Sequence, residues 1–201
     1  MSEIQVLIGT GNAGKVKEIR EIWGHLPITF YAPKDLGLSV SPEENGATFE
    51  ENARIKACAF CEAANMAALA DDSGLCVDFL GGAPGVYSAR YSGEGATDEK
   101  NTAKLLLDMQ NAAGKDRAAH FACVCAIVFP NGNEIVAAGT CEGEIALSPS
   151  GTGGFGYDPV FYVAEQGKTF SQMSEEEKNA ISHRGRALTA LAKKLETYFE
   201  R

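Results

Sequence analysis

Gln5-Val6-Leu7-Ile8-Gly9-Thr10-Gly11-Asn12-Ala13-Gly14-Lys15 decides the fold, because an apolar run hands over there, through glycines, to a helical pattern. Residues 5–8 read as a buried strand. Val16, Ile19, Ile22, Trp23 and Leu26 then recur on one face at helical spacing. The unpaired N–H groups of a first helical turn and the helix dipole favour an anion, and Lys15 adds a full positive charge. A phosphate is the expected ligand. The spacing fits two patterns at once. Gly9-x-Gly11-x-x-Gly14 matches a dinucleotide fingerprint, with Asp35 near the place of a ribose-binding acid. Gly9-x-x-x-x-Gly14-Lys15 matches a P-loop, but Val16 stands where a Ser or Thr would hold magnesium.

Further along the chain, residues 28–31 read as a second strand, followed by a polar loop through Ser41-Pro42-Glu43-Glu44-Asn45-Gly46. Thr48-Phe49-Glu50-Glu51 is a capping box that opens a long Ala-rich helix to about residue 66. Residues 67–70 form a short apolar strand ending in Asp71-Asp72-Ser73-Gly74, and residues 75–80 read as another strand. The five glycines of residues 81–97, with no apolar period, predict a long loop. Thr97 caps the next helix, which carries Leu105, Leu106 and Met109. Strand-like residues 118–129 and 134–141 flank Pro130-Asn131-Gly132-Asn133, a hairpin turn. A second glycine-rich loop, 148–157, leads into residues 160–163. The closing helix carries Ala187, Leu188, Leu191, Leu195 and Phe199. Early alternation of strands and helices with a later hairpin predicts an α/β protein with a mixed sheet. No repeat, linker or low-complexity segment separates independent domains.

The chain has 201 residues, enough for one well-cored domain or for one domain divided by a cleft. Its 45% hydrophobic and 22% charged residues are those of an ordinary soluble globular protein. No apolar run reaches membrane-spanning length, and Met1-Ser2-Glu3 lacks the basic and apolar regions of a signal peptide, so the cytoplasm is expected. A net charge of −9 argues against coating nucleic acid, so a polyanionic ligand requires a local cluster of Lys and Arg. Of the six cysteines, Cys58 and Cys61 fall within a helical segment and Cys123 and Cys125 share a strand face. They read as buried free thiols rather than zinc ligands.

Asp71-Asp72 is the second informative pair. Adjacent carboxylates beside a buried strand are costly unless cations compensate them, and neighbouring strand residues face opposite ways, so the two have different roles. Glu43-Glu44 lies just before the helix that carries Lys56. Gly153-Gly154-Phe155-Gly156-Tyr157-Asp158 places an aromatic ring, suited to stacking on a planar base, beside an acid that can accept ring N–H donors. Lys178, His183 and Arg184 stand at the start of the last helix, where their donors converge. Lys15, Lys56, Lys178 and Arg184 for phosphates and base, with Glu44, Asp71 and Asp72 for metal, describe a magnesium nucleotide site rather than a nicotinamide site.

These residues also carry a resemblance. Thr10-Gly11-Asn12-x-x-Lys15, Glu43-Glu44-x-Gly46, Asn52-Ala53-x-x-Lys56-Ala57 and Asp71-Asp72-Ser73-Gly74 occur in order. Gly81-Gly82-Ala83-Pro84-Gly85, Ser88-Ala89-Arg90-Tyr91, Phe155-Gly156-Tyr157-Asp158 and Ser182-His183-Arg184 follow. Over nearly its whole length the chain resembles the inosine/xanthosine triphosphate pyrophosphatases, which clear deaminated purine nucleotides. The resemblance implies hydrolysis of ITP, dITP and XTP to monophosphate and pyrophosphate, with Mg²⁺. It implies an elongated mixed β-sheet flanked by helices, two lobes with a cleft between them within one domain, residues 1–201, and a homodimer. Carried onto this sequence, Thr10, Gly11, Asn12, Ala13, Gly14 and Lys15 would hold the phosphates with Lys56 and Ser73. Glu44 and Asp72 would serve the metal, with Asp72 as base for water. Phe155, Gly156, Tyr157, Asp158, Lys178, His183 and Arg184 would surround the base and sugar, with His183 and Arg184 at the purine edge. The competing classes are a Rossmann-type dehydrogenase and a nucleotide-binding module without turnover.

Overall fold

Ile4–Ile8 forms the first strand, β1, and its Val6, Leu7 and Ile8 are fully buried because both faces of the strand are covered. The computed structural model describes residues 4–200, so the Met1-Ser2-Glu3 terminus lies outside the described residues. After β1 come α1 (Ala13–Trp23), β2 (Ile28–Tyr31), α2 (Phe49–Ala64), β3 (Ala67–Val77) and α3 (Asp98–Asp108). The hairpin strands β4 (Ala118–Val128) and β5 (Glu134–Ile145) follow, then β6 (Phe161–Val163), β7 (Lys168–Thr169), α4 (Glu175–Ile181) and α5 (His183–Phe199). The strands order as β2-β1-β3-β4-β5-β6-β7. β1 runs parallel to β2 and β3, while β6 runs antiparallel to β5 and β7, so the sheet is mixed as expected.

The chain divides into two units. The first comprises Met1–Asp72, Cys123–Gly139 and Arg184–Arg201, and the second Ser73–Ala122 and Thr140–His183. In the first unit, strand alternation sorts the core into two faces. Val6, Ile8 and Leu69 meet Ile19 and Trp23 of α1 and Leu188 and Leu191 of α5. Leu7, Ala68 and Ala70 meet Ala53, Ala57 and Phe60 of α2. Each large aliphatic side chain buried this way contributes roughly 1.5–3 kcal/mol. The buried Trp23 Nε1–H donates to the Leu188 carbonyl at 3.1 Å, which ties α1 to α5. The second unit has its own core, in which Phe161 and Phe170 pack on Phe121 in one cluster with Leu105 of α3 and Met109, the residue that ends it.

Local chemistry explains most boundaries. Thr48 and Glu51 form the capping box of α2, Thr97 caps α3, and Phe129 N–H donates to the Asn133 carbonyl at 2.9 Å to close the hairpin. Three expectations need correction. Residues 67–77 are one strand, not two: Asp71-Asp72-Ser73-Gly74 stays extended because charged partners compensate both acids in place. The closing helix is two, because Ser182 adopts an extended backbone (φ −65°, ψ 156°) between α4 and α5, so Lys178 belongs to α4. Residues 81–97 are not wholly a loop, since Gly85–Arg90 forms a 3-10 turn.

Candidate active site

The turn that precedes α1 is held by its own side chains. Thr10 Oγ1 accepts the Asn12 N–H at 3.1 Å, and Asn12 Oδ1 accepts the Lys15 N–H at 3.1 Å as the helix cap. Gly11, Asn12 and Ala13 are exposed, while Gly14 and Lys15 are half-buried. Asn12 takes one of the first-turn amides that would otherwise face an anion. Asp35 accepts from the Ala32 N–H at 2.8 Å and from Arg20 at 3.3 Å, so it fixes its own turn and the end of α1 rather than a ribose.

Asp71 and Asp72 point to the two faces of β3, as strand alternation requires, and each meets its own cations. Asp71 continues the Ala67 and Leu69 face towards α1 and α5. Its Oδ2 lies 3.0 Å from Lys15 Nζ and accepts from Arg184 Nη2 at 3.0 Å and Nε at 3.3 Å. Arg184 Nη1 in turn donates to Glu18 Oε2 at 2.5 Å, so buried Glu18, Asp71 and Arg184 form one set with the half-buried Lys15. Burial acts to raise the Asp71 carboxyl, but Lys15, Arg184 and Lys56 outweigh it and hold the group well below the usual carboxylate range. Asp72 continues the Ala68 and Ala70 face towards α2. Its Oδ1 accepts from Lys56 Nζ at 2.8 Å, and its Oδ2 from the Asn52 amide at 3.2 Å. The same Lys56 ammonium donates to Glu44 Oε2 at 2.8 Å. Burial raises the Asp72 carboxyl above its ordinary value against the pull of Lys56. For Glu44, burial also acts upward, but Lys56 prevails and lowers it.

In the second unit, the Phe155 loop is organised around Asp158. Asp158 Oδ2 accepts from the Phe155 N–H at 3.0 Å and from Lys178 Nζ at 2.7 Å. Gly154 has φ +76°, and a Cβ there would lie 2.1 Å from that same oxygen, so only glycine fits. The Lys178 ammonium lies 4.8 Å from the centroid of the Phe155 ring. Tyr157 is buried and donates to the Ser88 carbonyl at 2.8 Å. The buried His183 ring stacks on Phe121 at 4.6 Å between centroids.

The expected residues thus fall into three groups. Lys15 and Asp71 share one network, Glu44, Lys56 and Asp72 another, and Phe155, Asp158 and Lys178 a third. Ser73 follows Asp72 in β3 and is half-buried. The Arg184 guanidinium, expected at the purine edge, here lies on Asp71 and Glu18. Glu18 and Asn52 were not singled out from the sequence as site residues. Glu18 lies one turn after Lys15, and Asn52 one turn before Lys56, so helical spacing from a cationic residue is the signal that finds both.

The Ham1 family model matches residues 6–194. A dITP/XTP pyrophosphatase of Geobacter sulfurreducens is 49% identical over 187 residues, covering 93% of this chain and 94% of that protein. A protein of the same description from Escherichia coli K12 is 48% identical, with 93% and 95% covered. Among solved structures, a HAM1 protein from Coxiella burnetii aligns with a TM-score of 0.87 at 41% identity, covering 96% of this chain and 99% of its own. The Ham1 protein of Staphylococcus aureus aligns at 0.85 and 42%, with 96% and 99% covered. With a family match over nearly the whole chain and relatives close to half identical, the chain belongs to the Ham1 family.

Proposed function

We propose that this chain hydrolyses deaminated purine nucleoside triphosphates, namely ITP, dITP and XTP, to the monophosphate and pyrophosphate. One observation carries the reading: adjacent acids on β3 face opposite ways, and each is answered by a lysine from a helix of the phosphate-loop unit. Water attacks the α-phosphorus, the α–β bridging P–O bond breaks, and pyrophosphate leaves with the bond's electrons. Asp72 takes the proton from the water. The 10–15 turn, Lys15, Lys56 and Ser73 bind the triphosphate. The second unit takes the base through Phe155, Gly156, Tyr157, Asp158, Lys178 and His183. Arg184 enters as the brace of Asp71. The two units work as lobes of one domain, residues 1–201, in a cytoplasmic homodimer that cleans the nucleotide pool.

Mg²⁺ fits the donor set. Glu44 Oε2 and Asp72 Oδ1 both lie 2.8 Å from one ammonium nitrogen, so two carboxylate oxygens already converge on a single cation. Magnesium takes one or two protein carboxylates and completes its shell with phosphate and water. When bound there, it neutralises charge that develops on the phosphate oxygens. Lys56 and a divalent ion therefore compete for the same oxygens. Lys56→Met is expected to bind Mn²⁺ without nucleotide roughly tenfold to a hundredfold more tightly, since a charge-assisted bond of ~1.5–3 kcal/mol no longer opposes the metal. Titration of the variant followed by electron paramagnetic resonance measures it, with an unchanged affinity as the contrary result.

Base choice follows from hydrogen-bond chemistry. Hypoxanthine and xanthine carry an acceptor oxygen at position 6, where adenine carries a donor amino group. A site aiming donors at that position can reject adenine by on the order of 10⁴-fold. Incubation with ITP, ATP and Mg²⁺ tests the whole reading: pyrophosphate released from ITP, with little from ATP, is expected. Nucleotide binding without turnover would favour a non-catalytic module, and NAD binding a dehydrogenase. Lys15→Ala is expected to raise KM for ITP by roughly tenfold to a hundredfold, through loss of a charge-assisted phosphate contact. The ITP-to-GTP preference should stay nearly constant in steady-state kinetics. A large change in that ratio would mean that the ligand lies the other way round.

A further inference from the structure

The geometry points to Asp98, with Thr102 one helical turn on, as a positioning residue for base selection, acting through the Gly156 peptide. The inference rests on the proposal that the Phe155 loop takes the purine. That loop has little stiffness of its own, because Gly151, Gly153, Gly154 and Gly156 interrupt it. Its shape is therefore set by what grips its polar groups. Gly153 is held at both ends by Ser171, whose carbonyl accepts its N–H at 3.1 Å and whose hydroxyl donates to its carbonyl at 2.6 Å. Phe155 N–H is held by Asp158. At Gly156 the grip comes from outside the loop: its N–H donates to Asp98 Oδ2 at 2.7 Å, and its carbonyl accepts from Thr102 Oγ1 at 3.4 Å.

Asp98 is the first residue of α3 and Thr102 lies four residues on, so both face the loop from one side of the helix. Between α3 and the loop lies a cavity of about 390 Å³, lined by Leu106, Pro149 and Phe155 among others. The side of the loop that faces α3 therefore borders open space, and at Gly156 the two hydrogen bonds are what tie the loop to that helix. Gly156 is next to Phe155, so a displaced peptide carries the ring with it. A carboxylate that accepts from a backbone N–H also makes one of the stronger hydrogen bonds available there. Asp98 thus acts through the Gly156 peptide to fix the aromatic surface on which the base is sorted.

The test is steady-state kinetics of Asp98→Ala and Asp98→Asn on ITP and GTP, with thermal melts alongside. Asp98→Ala is expected to raise KM for ITP about fivefold to tenfold and to lower the ITP-to-GTP preference, with kcat within about twofold. Asp98→Asn keeps an oxygen that accepts the Gly156 N–H and should restore both KM and preference. Equal losses in the two variants, or an equal fall of kcat on both nucleotides with a lowered melting temperature, would overturn the inference. Phe155→Ala separates it from the reading beneath it. If Phe155→Ala alters base preference and Asp98→Ala does not, only the positioning role fails. If neither alters preference, the loop does not take the base and both fail.

Discussion

Asp72→Asn is expected to remain folded and to release pyrophosphate from ITP about 10²–10⁴-fold more slowly than the unchanged protein, the range that general-base assistance typically contributes. The substitution is nearly isosteric. It keeps an oxygen on the β3 face towards α2, and Lys56 retains Glu44 as a partner at 2.8 Å. What disappears is the carboxylate in this network whose value burial raises, together with one of the two oxygens that converge on a cation. Both losses fall on turnover. Pyrophosphate release at saturating ITP and Mg²⁺, beside a thermal melt, measures the effect. Near-normal release from a folded variant would remove Asp72 from the mechanism. Asp71→Asn should also lose activity, but by another route, because it removes the negative charge that Lys15 and Arg184 share.

Much of this arrangement was legible before any coordinates, and the remainder was hidden for physical reasons. The Thr48/Glu51 box, the Thr97 cap and the Pro130–Asn133 turn are local chemistry, so their elements start and stop where the residues indicate. The opposite facing of Asp71 and Asp72 follows from strand geometry alone. The continuity of β3 does not. Asp-Asp-Ser-Gly has the composition of a turn, and only cations contributed by α1, α2 and α5 keep it extended. Such partners are 16 to 113 residues away in sequence. The contacts of Arg184 were hidden for the same reason: its acceptors, Glu18 and Asp71, are distant in sequence and are brought to it by the packing of α5 on α1. Lys56 is the reverse case, where the helix was clear but its contact with both Glu44 and Asp72 was not.

The buried position of Arg184 changes what its removal should do. Arg184→Ala leaves Asp71 with Lys15 but deprives Glu18 of its short partner contact, inside a region where both carboxylates are buried. Breaking a buried ion pair by deleting one partner costs about 3–5 kcal/mol, because the remaining charge is uncompensated. For a chain of this size that corresponds to a melting temperature lower by roughly 6–20 °C. The pH dependence has a definite sign. In the folded protein the Asp71 carboxyl is held below its ordinary value by Lys15 and Arg184, against the opposing effect of burial. The stabilisation is therefore present above the ordinary carboxylate range and is lost as pH falls through the depressed folded-state value. Without Arg184 that folded-state value rises, so acid unfolding should begin at a higher pH. Arg184→Lys keeps a charge but cannot bridge two acids with a planar fork, and should recover only part of the loss. Activity should fall in equal proportion on ITP and ATP, since neither base uses a guanidinium already held by Asp71 and Glu18. A selective loss on ITP and XTP, with the melting temperature preserved, would instead put Arg184 at the purine 6-oxo group and make the contacts seen here exchangeable for it.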